Sequence, residues 1–241
     1  NAVYREYWTP IEFKNKNDEF DGAVRKVFDK ISQITGLSFN FIPVKTKSEA
    51  IEALQNGKAL IDTAFDNSLQ AAEMYQINVT KPYYTIPMEK ISNPKVKNNI
   101  SAFTYGSINP ENLNKLASTT NIMLKETNKE CIEAVRKGEA EHLYLNTTIR
   151  KYLFQTGNYK NLDISFQDDS KTVIYVGVSN SAPIELYTII EKALLSILPS
   201  EISGYFDSAS RMSPPLTFSL FIKKYTVYFI LIMLLSITVI M

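Results

Sequence analysis

The feature that most constrains this chain is an alternation of strand-like and helix-like runs along most of its length. GAVRKVFDKISQITG, residues 22–36, sets Val24, Val27, Phe28, Ile31 and Ile34 at helical spacing, and Gly36 ends it. The extended run VYREYWTPIEF and the polar turn KNKNDEFDG precede it, and SFNFIPV alternates as a strand after it. KSEAIEALQNGK repeats the pattern, with Ser48 as N-cap, Ile51 and Leu54 on one face, and Gly57 closing a short helix before the strand ALIDTAF. Strands that alternate with helices predict a parallel sheet with both faces covered.

The same grammar restarts after Pro94. SAFTYGS reads as a strand, Asn109-Pro110 opens a helix through Leu116, and TNIMLKE is a strand; NKECIEAVRKGEA, EHLYLN and TTIRKYLFQTG then read as helix, strand, helix. LDISFQ and TVIYVGVSN read as two strands parted by the polar turn DDSK. IELYTIIEKALLSILP reads as an amphipathic helix with Leu186, Ile189, Ile190, Ala193, Leu194 and Ile197 inward.

With 241 residues, 45% of them hydrophobic, the chain has room for one large domain or two lobes with a real core. Charge is balanced, 26 Lys and Arg against 25 Asp and Glu, so no basic field is available for nucleic acid. Cys131, the only cysteine, excludes an internal disulfide and sits at an apolar helical position, where it is expected as a small buried hydrophobe.

From Tyr225 to Met241 the run YTVYFILIMLLSITVIM carries no charge, Gly or Pro over 17 residues. A helix of that length reaches roughly 26 Å, so it is expected as the start of a membrane span. Lys223 and Lys224 stand at its edge. With no initiator Met or signal-like start, the chain is expected to be part of a longer membrane protein.

Catalytic motifs are not apparent. His142, the only histidine, has no second ligand nearby and is expected on a strand surface, while Asp18-Glu19 and Asp168-Asp169 read as turn charges. Phosphate-loop, dinucleotide and nucleophile-elbow motifs are lacking, so neither an enzyme nor a cofactor or metal is expected, although fold alone does not exclude catalysis.

Read in order, YWTPIEFKNKNDEFDGAVRKVFDKI, LSFNFIPV, EAIEALQNGKALIDTAF and INVTKPYY resemble the first lobe of the bacterial extracellular solute-binding proteins of the polar-amino-acid type. TYGSINPENL, CIEAVRKGEAEHLYLN and VIYVGVSNSAPIELYTIIEKAL continue the resemblance to about residue 205. It implies an α/β, two-lobed periplasmic-binding-protein-like fold of type II, a Venus flytrap, here followed by a transmembrane helix. Lobe 1 is expected at 1–86 with 172–211, lobe 2 at 87–171, a juxtamembrane linker at 212–224 and the span from 225. Pro82 and Pro87 are the expected hinge residues, with Tyr83 and Tyr84 at the mouth of the cleft.

Trp8, Asp66, Asn67, Ser68, Gly106, Ser107, Asn109 and Asn146 follow predicted strands, where ligands of α/β sheets sit. The helix opening at Ser107 to Pro110 offers free N–H groups. For Trp8 and Asn109, ordinary packing and an ordinary N-cap remain open readings.

Amino-acid binders of the family hold the ligand carboxylate with Arg in a Thr-x-x-Arg segment and the ammonium with Asp. Here, alignment backwards from KPYY puts Glu73 at the first position, and Asn146 stands at the second. Glu73 repels a carboxylate, so a cationic or neutral polar solute stacked on Trp8 or Tyr83 is the expected ligand. If the alignment slips, Glu73 is a solvated helix residue.

The expected function is an extracytoplasmic ligand-sensing domain of a membrane-anchored signalling protein, with closure passed to the C-terminal helix. The resemblance implies an output module beyond Met241, a histidine kinase or a diguanylate cyclase, and signalling through one helix per chain favours a homodimer. Two other readings stay open: a tethered subunit of an ABC uptake transporter, and a ligand-free protein-contact module.

Overall fold

The computed structural model describes residues 1–104, 119–155, 157, 159–213, 225–226 and 228, with only the backbone of 167–169. Strands β1 (Ala2–Arg5), β2 (Tyr7–Trp8), β3 (Glu12–Lys14) and β4 (Phe20–Asp21) lead into helix α1 (Ala23–Thr35). Then come β5 (Phe41–Val44), α2 (Lys47–Gln55), β6 (Ile61–Phe65), α3 (Leu69–Met74) and β7 (Ile77–Val79). The long β8 (Tyr84–Ser92) precedes β9 (Ile100–Thr104), β10 (Asn121–Lys125), α4 (Asn128–Lys137), β11 (His142–Asn146) and α5 (Thr147–Phe154). The described elements close with β12 (Asp163–Ser179), α6 (Ile184–Ser196) and α7 (Pro199–Ser210).

Two groups of parallel strands make the two lobes. In the first, β1 lies between β5 and β6; in the second, β9 lies between β10 and β11. The strands β8 and β12 run antiparallel to each other and join these groups into one continuous sheet in the order β10, β9, β11, β8, β12, β6, β1, β5, with β7 on β12. A separate three-stranded sheet of β2, β3 and β4 sits beside β1.

Alternation along β1 explains the layering. Ala2 and Tyr4 join α1 residues Val24, Val27, Phe28 and Ile31 in one core, whereas Val3 joins Val44, Ile51, Leu54 and Phe65 in another. Successive strand residues point to opposite faces, so a strand buried on both sides is apolar over most of its length. Gly22 enters α1 at φ 118, and a Cβ there would run into the Ile11 carbonyl oxygen. Gly36 caps α1 in the left-handed region, as the sequence predicts.

Several expectations change in detail. The turn predicted at DDSK is absent: β12 is one strand from Asp163 to Ser179, with an irregularity between Phe166 and Lys171. Lys171 pairs with Pro87, so the proline, which has no N–H to donate, sits where the ladder is already interrupted. The N-cap of α2 is Thr46, which accepts from Glu49 N at 3.1 Å, and Ser48 falls inside the helix. Ile34, placed at helical spacing, and Ile189, expected inward, are 44% and 39% exposed. Helix α7, opened by Pro199, has no counterpart in the sequence reading.

His142, expected on a strand surface, is buried; its Nε2 lies 2.8 Å from Ser101 Oγ, and its Nδ1 has no hydrogen-bond partner among the described residues. Burial, aided by Lys90, lowers its pKa. Cys131 is buried as expected, and burial pushes its thiol up to about 12. No described helix is long and apolar enough to cross a membrane; all of the expected span but 225, 226 and 228, and most of its linker, lie outside the described residues. The predicted helix from Asn109 to Leu116 lies outside them too.

Candidate functional site

At the carboxyl ends of β1, β5 and β6 the first lobe gathers a cluster of charges. Arg5 ends β1, Asp66 follows β6, and Lys47 opens α2 after β5. Parallel strands with covered faces leave their carboxyl ends as the open rim, which is why functional side chains collect there.

The Arg5 guanidinium is enclosed. Its Nε donates to Glu12 Oε1 at 2.9 Å, one terminal nitrogen donates to Asp66 Oδ1 at 3.1 Å, and the other donates to the Ala64 carbonyl at 2.8 Å. Its carbon lies 3.7 Å from the centroid of the Trp8 ring, a cation–π contact. Thr63 Oγ1 donates to Glu12 Oε2 at 2.7 Å, and Lys47 Nζ meets Asp66 Oδ2 at 2.8 Å. Tyr83 reaches the same cluster, its hydroxyl donating to the Thr63 carbonyl at 3.0 Å.

These contacts set the charges. Burial works against the Asp66 carboxylate, but Arg5 and Lys47 outweigh it and hold its pKa below the ordinary value. For Glu12 burial wins and raises the pKa despite Arg5 and Thr63. Asp62, buried on β6 and accepting from Ala64 N at 3.1 Å, is pushed up to about 7 by burial and then by repulsion from Glu12.

The expected site residues separate into groups. Trp8, Asp66 and Tyr83 come together around Arg5. Asn67 is buried beside Asp66, and Ser68 caps α3 by accepting from Ala71 N at 3.1 Å. Glu73 is exposed in the last turn of α3 and is not part of the cluster. Tyr84 faces the other way and stacks on Phe206 of α7. Asn146 is buried with its side chain accepting from Ile149 N at 3.0 Å, as the N-cap of α5. Gly106, Ser107 and Asn109 lie outside the described residues. Pro82 directly precedes Tyr83, and Pro87 lies within β8 where the two long strands pair.

Arg5, Glu12, Lys47, Asp62 and Thr63 escaped the sequence reading. The available signal was charge inside apolar strands: Arg5 in AVYR and Asp62 in IDTAF. A buried charge requires partners, so such residues point to one another.

The sequence matches the profile of the bacterial extracellular solute-binding proteins, family 3, over residues 1–197. The chain belongs to this family. Solved structures agree on the fold. The periplasmic VFT2 domain of BvgS from Bordetella pertussis matches with a TM-score of 0.72 at 21% identity, covering 86% of this chain and 91% of that one. A histidine kinase sensor domain similar to periplasmic binding proteins gives 0.71 at 16%, over 89% and 96%. An ancestral arginine-binding protein bound to arginine gives 0.69 at 18%, over 86% and 96%. No curated protein matches the sequence. Members of family 3 are solute-binding proteins, and the two-lobed α/β architecture of this chain is theirs.

Proposed function

We propose that this chain is the extracytoplasmic sensor domain of a membrane-anchored signalling protein, in which two lobes close on a small polar solute and the closure reaches a C-terminal membrane helix. Residues 1–86 with 172–211 form lobe 1 in this reading, and 87–171 form lobe 2. A histidine kinase sensor domain shares this fold, which supports the sensor reading.

The observation that carries the reading is the packing of α7, the last described helix. Towards lobe 1, Lys30 Nζ meets Glu201 Oε1 and Lys26 Nζ meets Ser208 Oγ, each at 3.1 Å. Towards lobe 2, Gln155 Nε2 donates to the Ser210 carbonyl at 2.6 Å. Between them, Phe206 stacks on Tyr84 where β8 begins. A helix fastened to both lobes and to the crossing strand must shift when the angle between lobes changes, and the chain leaves towards its apolar run from that helix.

Trp8, Asp66, Asn67, Ser68 and Tyr83 are the lobe 1 residues facing the solute in this reading, and Gly106, Ser107 and Asn109 are their lobe 2 counterparts. A homodimer would bring two membrane helices together. Thermal-shift screening against amino acids, polyamines, quaternary amines and small peptides tests solute binding. Spin labels at the exposed Glu52 and Lys129 test closure: a solute that raises Tm should shorten that distance and move a third label at Arg211. A solute that raises Tm with all distances unchanged contradicts the transmission.

A further inference from the structure

Arg5 is held the way a protein holds a bound guanidinium ligand. An aromatic face lies 3.7 Å from its carbon, carboxylates take two of its nitrogens and a main-chain carbonyl takes the third. The residue is 8% exposed, so little water reaches the group. Each carboxylate oxygen also already has a partner. Glu12 gives one oxygen to Arg5 and the other to Thr63, while Asp66 gives one to Arg5 and the other to Lys47. A second cation entering beside Trp8 would find no free carboxylate oxygen on Glu12 or Asp66 and would meet Arg5 and Lys47 as repelling charges.

We propose that Arg5 is a built-in ligand and a specificity-determining residue: it fills the planar-cation subsite between Trp8 and Asp66, so that the domain rejects guanidinium-type solutes there and takes a polar solute that is not a planar cation. This rests on the clam-shell reading and narrows its solute class. It carries a converse: shortening Arg5 turns lobe 1 into a guanidinium site, because Trp8, Glu12, Asp66 and the Ala64 carbonyl are fixed by other contacts. Glu12 is tied to Thr63, Asp66 to Lys47, and Trp8 is paired with Glu12 across β2 and β3.

Trp8 is the only tryptophan, so its fluorescence reports this subsite directly. The experiment titrates methylguanidinium chloride, against potassium chloride at equal ionic strength, into the wild-type chain, Arg5→Ala, and Arg5→Ala with Asp66→Asn. Wild type is expected to show no saturable change. Arg5→Ala is expected to melt lower, and to regain at least about 2 °C at about 10 mM methylguanidinium with a saturable change in Trp8 emission. The double variant should lose that response.

Saturable quenching of Trp8 in the wild type overturns the proposal without any variant having to fold. An Arg5→Ala chain that folds and ignores methylguanidinium overturns it as well; if alanine prevents folding, Arg5→Ser, which is equally short, serves the same purpose. Closure of the wild-type lobes on another solute, read from the spin-label distances, is independent of these outcomes and keeps the sensor reading separate from the fate of Arg5.

Discussion

Tyr84 and Phe206 stack nearly parallel, their ring centroids 3.9 Å apart and their planes 19° from coplanar. One ring stands at the start of the strand that crosses between lobes and the other on the last described helix, so this contact couples the crossing to the end of the domain. Phe206 is 1% exposed. Truncation to alanine removes its burial and leaves a cavity, at a cost of about 3–5 kcal/mol. Phe206→Leu, which keeps most of the volume and loses the stacking, should cost under about 1.5 kcal/mol. Urea unfolding of the two variants measures both; equal effects would mean that volume at this position matters little.

In the second lobe, Arg150 grips the buried Glu89 through two hydrogen bonds of 2.8 and 3.1 Å. Glu89 on β8 is 1% exposed, so removing Arg150 strands a buried carboxylate. Arg150→Met is expected to destabilise by about 3–5 kcal/mol, whereas Arg150→Met with Glu89→Leu should recover most of the loss. A double-mutant cycle by chemical denaturation checks this, and additive losses would contradict it.

The contrast between these pairs and the sequence shows what was legible. Helix α1 could be read because Val24, Val27, Phe28 and Ile31 repeat at 3.6-residue spacing and Gly36 supplies a left-handed cap. The two-lobed family could be read from the order of such units. Arg5 could not be assigned, because its meaning depends on Asp66, 61 residues away, and on Trp8 lying across a tight turn. Glu73 could not be placed for the same reason: Ser68 caps α3 and leaves Glu73 on the exposed side of a short helix, in line with the solvated reading left open above. The continuity of β12 was hidden by the polar residues of DDSK, which mark a turn by composition but here accompany an irregularity in a long strand.

Asp62 predicts a pH dependence with a definite sign. Its folded pKa is raised from 3.8 to about 7, so the folded state binds the proton more tightly than the unfolded chain does. Stability from this group is therefore complete below the unfolded value and declines as pH rises through about 7. Asp62→Asn keeps an acceptor for Ala64 N and removes the charge. The variant should gain on wild type as pH rises from about 5 to about 8, by on the order of a few kcal/mol at most. Tm measured across that range tests it; a difference independent of pH would show that Asp62 is ionised throughout.

Cys131 offers a separate probe of lobe 2. Its side chain is buried on α4, and burial pushes its pKa up to about 12, so the reactive thiolate is scarce in the native state. An aromatic disulfide reagent at neutral pH should leave the folded chain unlabelled and react once with the unfolded one. Rapid native labelling would mean that α4 opens readily.

Asn146 separates a structural duty from a ligand contact. Its buried side chain accepts from Ile149 N at 3.0 Å and caps α5, the helix whose Gln155 holds the end of α7. Asn146→Ala should cost about 1 kcal/mol through the lost cap, while Asn146→Ser should keep the cap because the hydroxyl oxygen accepts the same bond without burying a charge. If Asn146 served mainly to contact a solute, solute affinity would fall in both variants with little change in Tm of the free chain. Unfolding of the solute-free variants decides between these outcomes, and the cap predicts a loss in alanine alone.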